Sequence, residues 1–260
     1  MRLVYIISLL FLSSVTLAFT GAEVHSPNFF FQQGQSYQVT WRAQPTIGNC
    51  AISVFSLFNA DDLYGPDGYK TNWSEIAFET FGGSALLSDE KSFQTQYITA
   101  LAPGPQRGKL HSERHTTDQL SINIFDGKKH NFTVIWKHVN TPQATLIYQI
   151  DGHTIRTIEG EDVPLLHSRV NIYAGTWVTE EGHSWACTSN EKPKAGEVAL
   201  EFIDVEYELY PGWSLKKRIL PEEIQQDWIH SNWGFVGFDG TYTPDNVMIK
   251  DRSLILELKE

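Results

Sequence analysis

Two cysteines and two methionines are the only sulfur-bearing residues in this 260-residue chain, so a disulfide-dense miniprotein is excluded. Basic residues are also scarce: 20 Lys plus Arg stand against 31 Asp plus Glu, a formal net charge of −11. Such a chain repels a phosphate backbone at long range, which argues against nucleic acid as a partner. Helical periodicity, internal repeats and low-complexity tracts are nearly absent. After the first eighteen residues no apolar run is long enough to span a bilayer. With 41% apolar residues the chain has ample material for a core, which excludes a disordered polymer.

Aromatic residues are plentiful: eight Trp, ten Tyr and fifteen Phe. They suit β-structure, and exposed ones suit flat, weakly polar ligands such as sugars. The first eighteen residues read as a signal peptide. Arg2 gives a positive start, Leu3 to Leu12 is almost wholly apolar, and Thr16-Leu17-Ala18 places small residues where a signal peptidase reads. The expectation is therefore a secreted or periplasmic protein, residues 19–260, with no membrane attachment once 1–18 are removed. Export permits a Cys50–Cys187 disulfide, which requires Cα atoms within about 7 Å; two separate buried thiols are the alternative. Nothing places a His beside either cysteine, so cysteine catalysis is not expected.

Most segments alternate with period two. Tyr37, Val39, Trp41 and Ala43 form one such face, Phe132, Val134 and Trp136 another. Ile203, Val205, Tyr207 and Leu209, and Leu254, Leu256 and Leu258, do the same. Turn signals punctuate these runs at Gly65-Pro66-Asp67-Gly68, Asp126-Gly127, Asp151-Gly152 and Asp239-Gly240. A short helix is predicted around Pro221 to Asp227, where Pro opens and Glu222 and Glu223 suit the first turn. Many strands with almost no helix predict an all-β sandwich or barrel, and at this length one large sandwich.

The most informative segment runs from Asn72 to Gly83. Read as a strand, it turns Ile76 and Phe78 into the core and Glu75, Ala77, Glu79 and Phe81 to the other, exposed face. Two carboxylates on one face without a neighbouring base are an electrostatic cost. Glycoside hydrolysis uses such a pair, one to attack the anomeric carbon and one to protonate the leaving oxygen. The retaining route wants the carboxyl groups about 5 Å apart, while four strand residues separate Cα atoms by about 13 Å. On spacing alone, a pair of solvated glutamates on a polar face is the better reading, because such spacing is common.

The flanking residues add specificity. Trp73-x-Glu75-Ile76-x-Phe78-Glu79-x-Phe81-Gly82 resembles the catalytic strand of glycoside hydrolase family 16, the laminarinases, lichenases, agarases and xyloglucan-active enzymes. Further segments resemble that family in order: Gly21-Ala22-Glu23-Val24 with Tyr37, Gln94-Thr95-Gln96, Phe125-Asp126 with His130 and Trp136, Tyr148 to Gly152, Asn171-Ile172-Tyr173, Ser184-Trp185-Ala186, and Glu201 to Tyr210. The resemblance implies a concanavalin-like jelly roll of two antiparallel sheets with a concave glycan cleft. It implies Glu75 as nucleophile and Glu79 as general acid/base. Ala77 stands where the family usually carries Asp, which opens slower turnover, a shifted pH optimum, or binding without catalysis.

The family's opening strands are missing ahead of Gly21. Trp228 to Phe235, Tyr242 to Val247 and Leu254 to Leu258 resemble them, which implies circular permutation: 211–221 would be a joining linker and 222–260 the permuted strands. Trp73, Trp177, Trp185 and Trp233 are candidate sugar platforms, with Gln96, Asn171, Tyr173 and Asn232 as further substrate contacts; Trp41, Trp136 and Trp228 read as packing residues. His130 is either a structural histidine or a sugar contact. His111 to His115 reads as a polar, solvated loop rather than a metal site, and no metal or cofactor is expected. The expected activity is retaining endo-β-glycan hydrolysis on a β-glucan-type polysaccharide by a monomer. The alternatives are a transglycosylase and a non-catalytic glycan-binding protein.

Overall fold

The structure, a computed structural model, describes residues 20–27, 29–30, 32–47, 51–58, 75–81, 92–98, 110–116, 121–163, 169–178, 197–210, 213–234 and 247–257. The strands in chain order are β1 (Thr20–His25), β2 (Phe29–Phe30), β3 (Ser36–Gln44), β4 (Ala51–Phe58), β5 (Glu75–Phe81), β6 (Ser92–Ile98), β7 (Leu110–Thr116) and β8 (His130–Lys137). They continue with β9 (Thr145–Ile150), β10 (His153–Glu159), β11 (Arg169–Val178), β12 (Glu197–Tyr210), β13 (Trp213–Ile219), β14 (Ile229–Gly234), β15 (Val247–Lys250) and β16 (Ser253–Glu257). Among the described residues one α-helix, α1 (Pro221–Asp227), falls where the sequence predicts it. Pro221 opens it, and the Glu223 carboxylate accepts the Leu220 N–H at 3.3 Å.

Two antiparallel sheets form a jelly-roll sandwich. The first runs β14-β1-β11-β4-β5-β6-β7, with β2 on β11; the second runs β10-β9-β8-β3-β12-β16-β15, with β13 on β12. The period-two faces read from the sequence meet between them. Val39, Trp41, Phe132, Trp136, Ile203 and Leu254 join Phe55, Ile76 and Phe78 in one buried cluster. Its centre is aromatic: the Phe55 and Phe132 ring centroids lie 4.6 Å apart, and Phe78 meets Tyr148 edge-on at 5.3 Å. Trp41, Trp136 and Trp228 are buried, as expected of packing residues. At one end Arg156 of β10 reaches across to the first sheet, with its Nε 3.1 Å from Glu113 Oε2 and its Nη1 donating to the Thr95 carbonyl at 3.1 Å.

Two sequence expectations change, and one choice left open is decided. Residues 213–219 of the expected linker form β13, registered antiparallel on β12. The reason is charge pairing: Arg218 sits opposite Asp204 and grips it with two hydrogen bonds of 2.7 and 2.8 Å. The expected loop at His111 to His115 is inside β7, with His115 buried 5.2 Å from the Phe93 ring. Its alternation of polar residues is that of a sheet strand with Arg114 on one face and His115 on the other. The open choice is His130, which takes the structural role: Nδ1 lies 2.6 Å from Asp151 and Nε2 lies 3.0 Å from Asp126, on the second sheet.

The His130 and Lys128 hydrogen bonds hold the Asp126 carboxyl far below the usual carboxylate range. A depressed folded-state value stabilises the fold above the ordinary carboxylate range and is lost as pH falls below it. The Asp126→Asn variant should therefore be less stable at neutral pH and show a shallower loss of stability below about pH 4 than the wild type. Urea midpoints recorded from pH 7 down to pH 3 check this; parallel curves for the two proteins would refute it.

Candidate active site

Strand β5 alternates as the sequence predicts. Ile76 and Phe78 enter the core between the sheets, whereas Ala77 and Phe81 join Ile52, Val54 and Tyr173 in a second apolar patch on the outer face of the first sheet. Glu75 and Glu79 share the parity of that patch. The expected exposure is corrected: both glutamates are only 7% exposed, because the whole of β5 is buried. An apolar collar lowers the local dielectric, which strengthens the electrostatic coupling of every charge inside it.

Cross-strand register brings other polar residues into line. Glu79 pairs with Val54 on β4 and with Gln94 on β6; Gln94 pairs in turn with Arg114. On the other side Val54 pairs with Gly175, and Gly175 with Glu23 of β1. Glu23, Glu79 and Arg114 therefore lie along one line across the sheet. The next line holds Tyr173, Ser56, Ala77 and Gln96. Tyr173 joins the two lines, for its phenol donates to Glu23 Oε2 at 2.6 Å.

Glycine is required for that reach. A Cβ on Gly175 would sit 2.5 Å from the Tyr173 Oη and 2.9 Å from Cζ, so the ring lies across this residue. The Gly175→Ala variant should push the ring aside, break the bond to Glu23 and cost about 1 kcal/mol of stability. Thermal unfolding and tyrosine absorbance above pH 10 check this together; an unchanged melting point and unchanged phenol titration would overturn it.

The phenol is charged with difficulty. Burial pushes its pKa well above the usual value, and the Glu23 charge and hydrogen bond, then the charges of Glu75 and Glu79, push it further. Tyr173 thus feels all three carboxylates at once. Arg114 balances them: burial lowers its pKa while the Glu79 charge raises it, and its guanidinium lies 4.7 Å from the Phe81 ring centroid. The arrangement is a dry acidic face with one cation and one neutral phenol, suited to holding an acid and a base in different protonation states.

The other sequence-predicted residues divide. Gln96 is in β6 level with Ala77, Trp177 of β11 and Trp233 of β14 are both level with Gly21, and Asn232 is level with the core residue Ala22. Asn171 is buried, and its Nδ2 donates to the Ser26 carbonyl at 2.6 Å, fastening β11 to the end of β1. Trp73, Trp185, Cys50 and Cys187 lie outside the described residues. Among the described residues no group of three His, Cys, Asp or Glu side chains is placed to share a metal ion, and no helix is long and apolar enough to cross a membrane. Glu23, Ser56 and Arg114 escaped the sequence reading as site residues. Glu23 carried a signal, being a lone acid between Ala22 and Val24 in an alternating strand; Ser56 and Arg114 enter only through strand pairing.

No protein-family model matches the chain, and no curated protein sequence matches it. Solved structures do. The Bacteroides ovatus mixed linkage glucan PUL GH16 in complex with G4G4G3G product superposes with a TM-score of 0.51 at 12% identity, over 72% of this chain and 79% of that one. The fold is that of a family 16 glycoside hydrolase. Another structure, of a Bacteroides ovatus family 16 endo-glucanase in complex with G4G3G-2F-DNP, is similar at a TM-score of 0.46 and 12% identity, over 82% and 79% of the two chains. A Bacillus licheniformis β-glucanase is similar at 0.41 and 18%, over 66% and 71%. In this sandwich the C-terminal strands are integral: β14 pairs with β1 in the first sheet, and β16, carrying β15, pairs with β12 in the second.

Proposed function

We propose that the protein is a retaining endo-β-glycanase acting on a β-glucan-type polysaccharide. The observation that carries the proposal is the shared face of Glu75 and Glu79 on β5, with Tyr173 within electrostatic reach of both. Glu75 attacks the anomeric carbon while Glu79 protonates the departing glycosidic oxygen. Glu79 then takes a proton from water, and that water releases the sugar from Glu75. Net, one glycosidic bond and one water become two sugar ends. A sugar hydroxyl in place of the water gives transglycosylation through the same intermediate.

The mixed linkage glucan named for the Bacteroides ovatus structure supports a β-glucan as the substrate class. The signal-like first eighteen residues support export, and a monomer acting on an external polymer needs no further partner. The pairing of β14 with β1 and of β16 with β12 supports circular permutation of the family's opening strands.

A second reading has its own observation. Ala77, between the two glutamates, packs with Ile52, Val54, Phe81 and Tyr173 rather than bringing a third acid to β5. A glycan-binding protein without catalysis would suit such a face. Incubation with laminarin, lichenan, xyloglucan and agarose, followed by reducing-end assay and product analysis, separates the two. Soluble oligosaccharides from one glycan support the hydrolase; binding to a glycan with no release from any of them supports the binder.

A further inference from the structure

Ser56 of β4 pairs directly with Tyr173 of β11 on one side and with Ala77 of β5 on the other. Its parity is that of Ile52 and Val54, on the outer face with the acidic residues, while Phe55 and Leu57 enter the core between the sheets. The residue is 1% exposed, and its Oγ has no hydrogen-bond partner among the described residues. A buried hydroxyl left unbonded costs about 1–3 kcal/mol. Here that cost falls between the line of Glu23 and Glu79 and the line of Glu75 rather than at a random place in the core.

Glu75 and Glu79 flank Ala77 at plus and minus two, so they are the diagonal neighbours of Ser56 across the β4–β5 pair. Diagonal positions lie about 7–8 Å apart, within reach of long side chains. We propose that Ser56 is a positioning residue for Glu75, its hydroxyl donating to one carboxylate oxygen when substrate occupies the groove and leaving the other oxygen aimed at the anomeric carbon. This rests on the hydrolase reading above.

Chemistry chooses Glu75 over Glu79. A hydroxyl donor favours the charged carboxylate, which a nucleophile needs and a general acid does not. Glu79 has the Arg114 charge acting on it, two strands away on the same line. The line through Glu75 holds Asn171, Phe58, Ile98 and Leu110, none of them basic. Ser56 is thus a hydroxyl diagonal to the nucleophile across the β4–β5 pair, and Ala77, the residue directly opposite it, carries only a methyl.

The test is the Ser56→Ala variant beside Ser56→Thr, assayed on the glycan that the wild type cleaves best. Ser56→Ala should lower kcat about 10- to 100-fold, the penalty of a misaimed reacting group, with KM within about twofold. The acid limb of its kcat profile, which reports the substrate complex, should move to higher pH, because the nucleophile has lost a donor there. The other titratable groups around Ser56 are Tyr173 from β11 and Glu79 from β5, with Glu23, His25 and Arg114 beyond them, and all are retained in the variant. The melting point should stay level or rise, since the deletion removes an unbonded polar atom. Ser56→Thr, which keeps the hydroxyl, should recover most of the rate. A Ser56→Ala variant with wild-type kcat and an unmoved acid limb overturns the inference while leaving the hydrolase intact. Wild-type protein that releases no reducing ends from any glycan overturns the hydrolase reading and the inference with it.

Discussion

Replacing Glu75 by Gln will abolish release of reducing ends, lowering kcat by at least about 10⁴-fold, the scale seen when a covalent nucleophile is removed. The amide is nearly isosteric with the carboxylate but cannot form the glycosyl ester, so the first bond of the reaction is never made. Binding should persist. Glu75 is one of three buried acids on its face, beside Glu23 and Glu79, and removing one charge eases like-charge repulsion. The fold should therefore survive with an equal or higher melting point. Glu79→Gln should behave differently: it should cripple hydrolysis of natural glycans but spare the first step on aryl glycosides, whose leaving groups need no proton. Reducing-end assays and rapid-mix measurements on an aryl β-glycoside check both. Retained hydrolysis by Glu75→Gln would exclude it as nucleophile, and with it the retaining mechanism built on this pair.

The largest structural effect should come from Phe78, one residue before Glu79 on the opposite face of β5. It is fully buried, edge-on to Tyr148 at 5.3 Å and to Phe132 at 5.6 Å. Phe78→Ala removes a ring from the meeting point of the two sheets, and should cost about 3–5 kcal/mol. The cavity opens directly behind the acidic face, so β5 should relax toward the second sheet and catalytic rate should fall even in the fraction that remains folded. Urea unfolding should show a lower midpoint at an unchanged slope. A loss under about 1 kcal/mol would mean that the sandwich collapses around the missing ring and that the acidic face does not depend on it.

Much of this fold was legible because a sandwich strand writes its orientation in alternate letters. Trp41, Phe132 and Ile203 face the core for the same reason that Arg42, Asn131 and Asp204 do not, and no tertiary knowledge is needed to see it. The Pro221 helix was equally plain, since proline at the first turn followed by two glutamates is a local signal. What stayed hidden depends on partners far along the chain. Strand β13 reads as a basic connector until Asp204 is placed opposite Arg218. The polar run in β7 reads as a loop until Phe93 and Arg156 cover it. The same holds for the site: Glu75 and Glu79 share a strand and announce themselves, whereas Glu23, Ser56 and Arg114 reach them only through register across the sheet.

The pairing of β1 with β14 also sets an order of events in time. Val24 bonds alongside His230, roughly two hundred residues later, and β3 likewise waits for β12, so contact order is high and folding belongs in the millisecond-to-second range. Until the C-terminal third has been synthesised, β1 and β3 each lack a neighbour, and bare strand margins of that kind recruit other chains. A nascent molecule of this protein is therefore most prone to aggregate late in translation, and slowing synthesis should not protect it as a holding chaperone would.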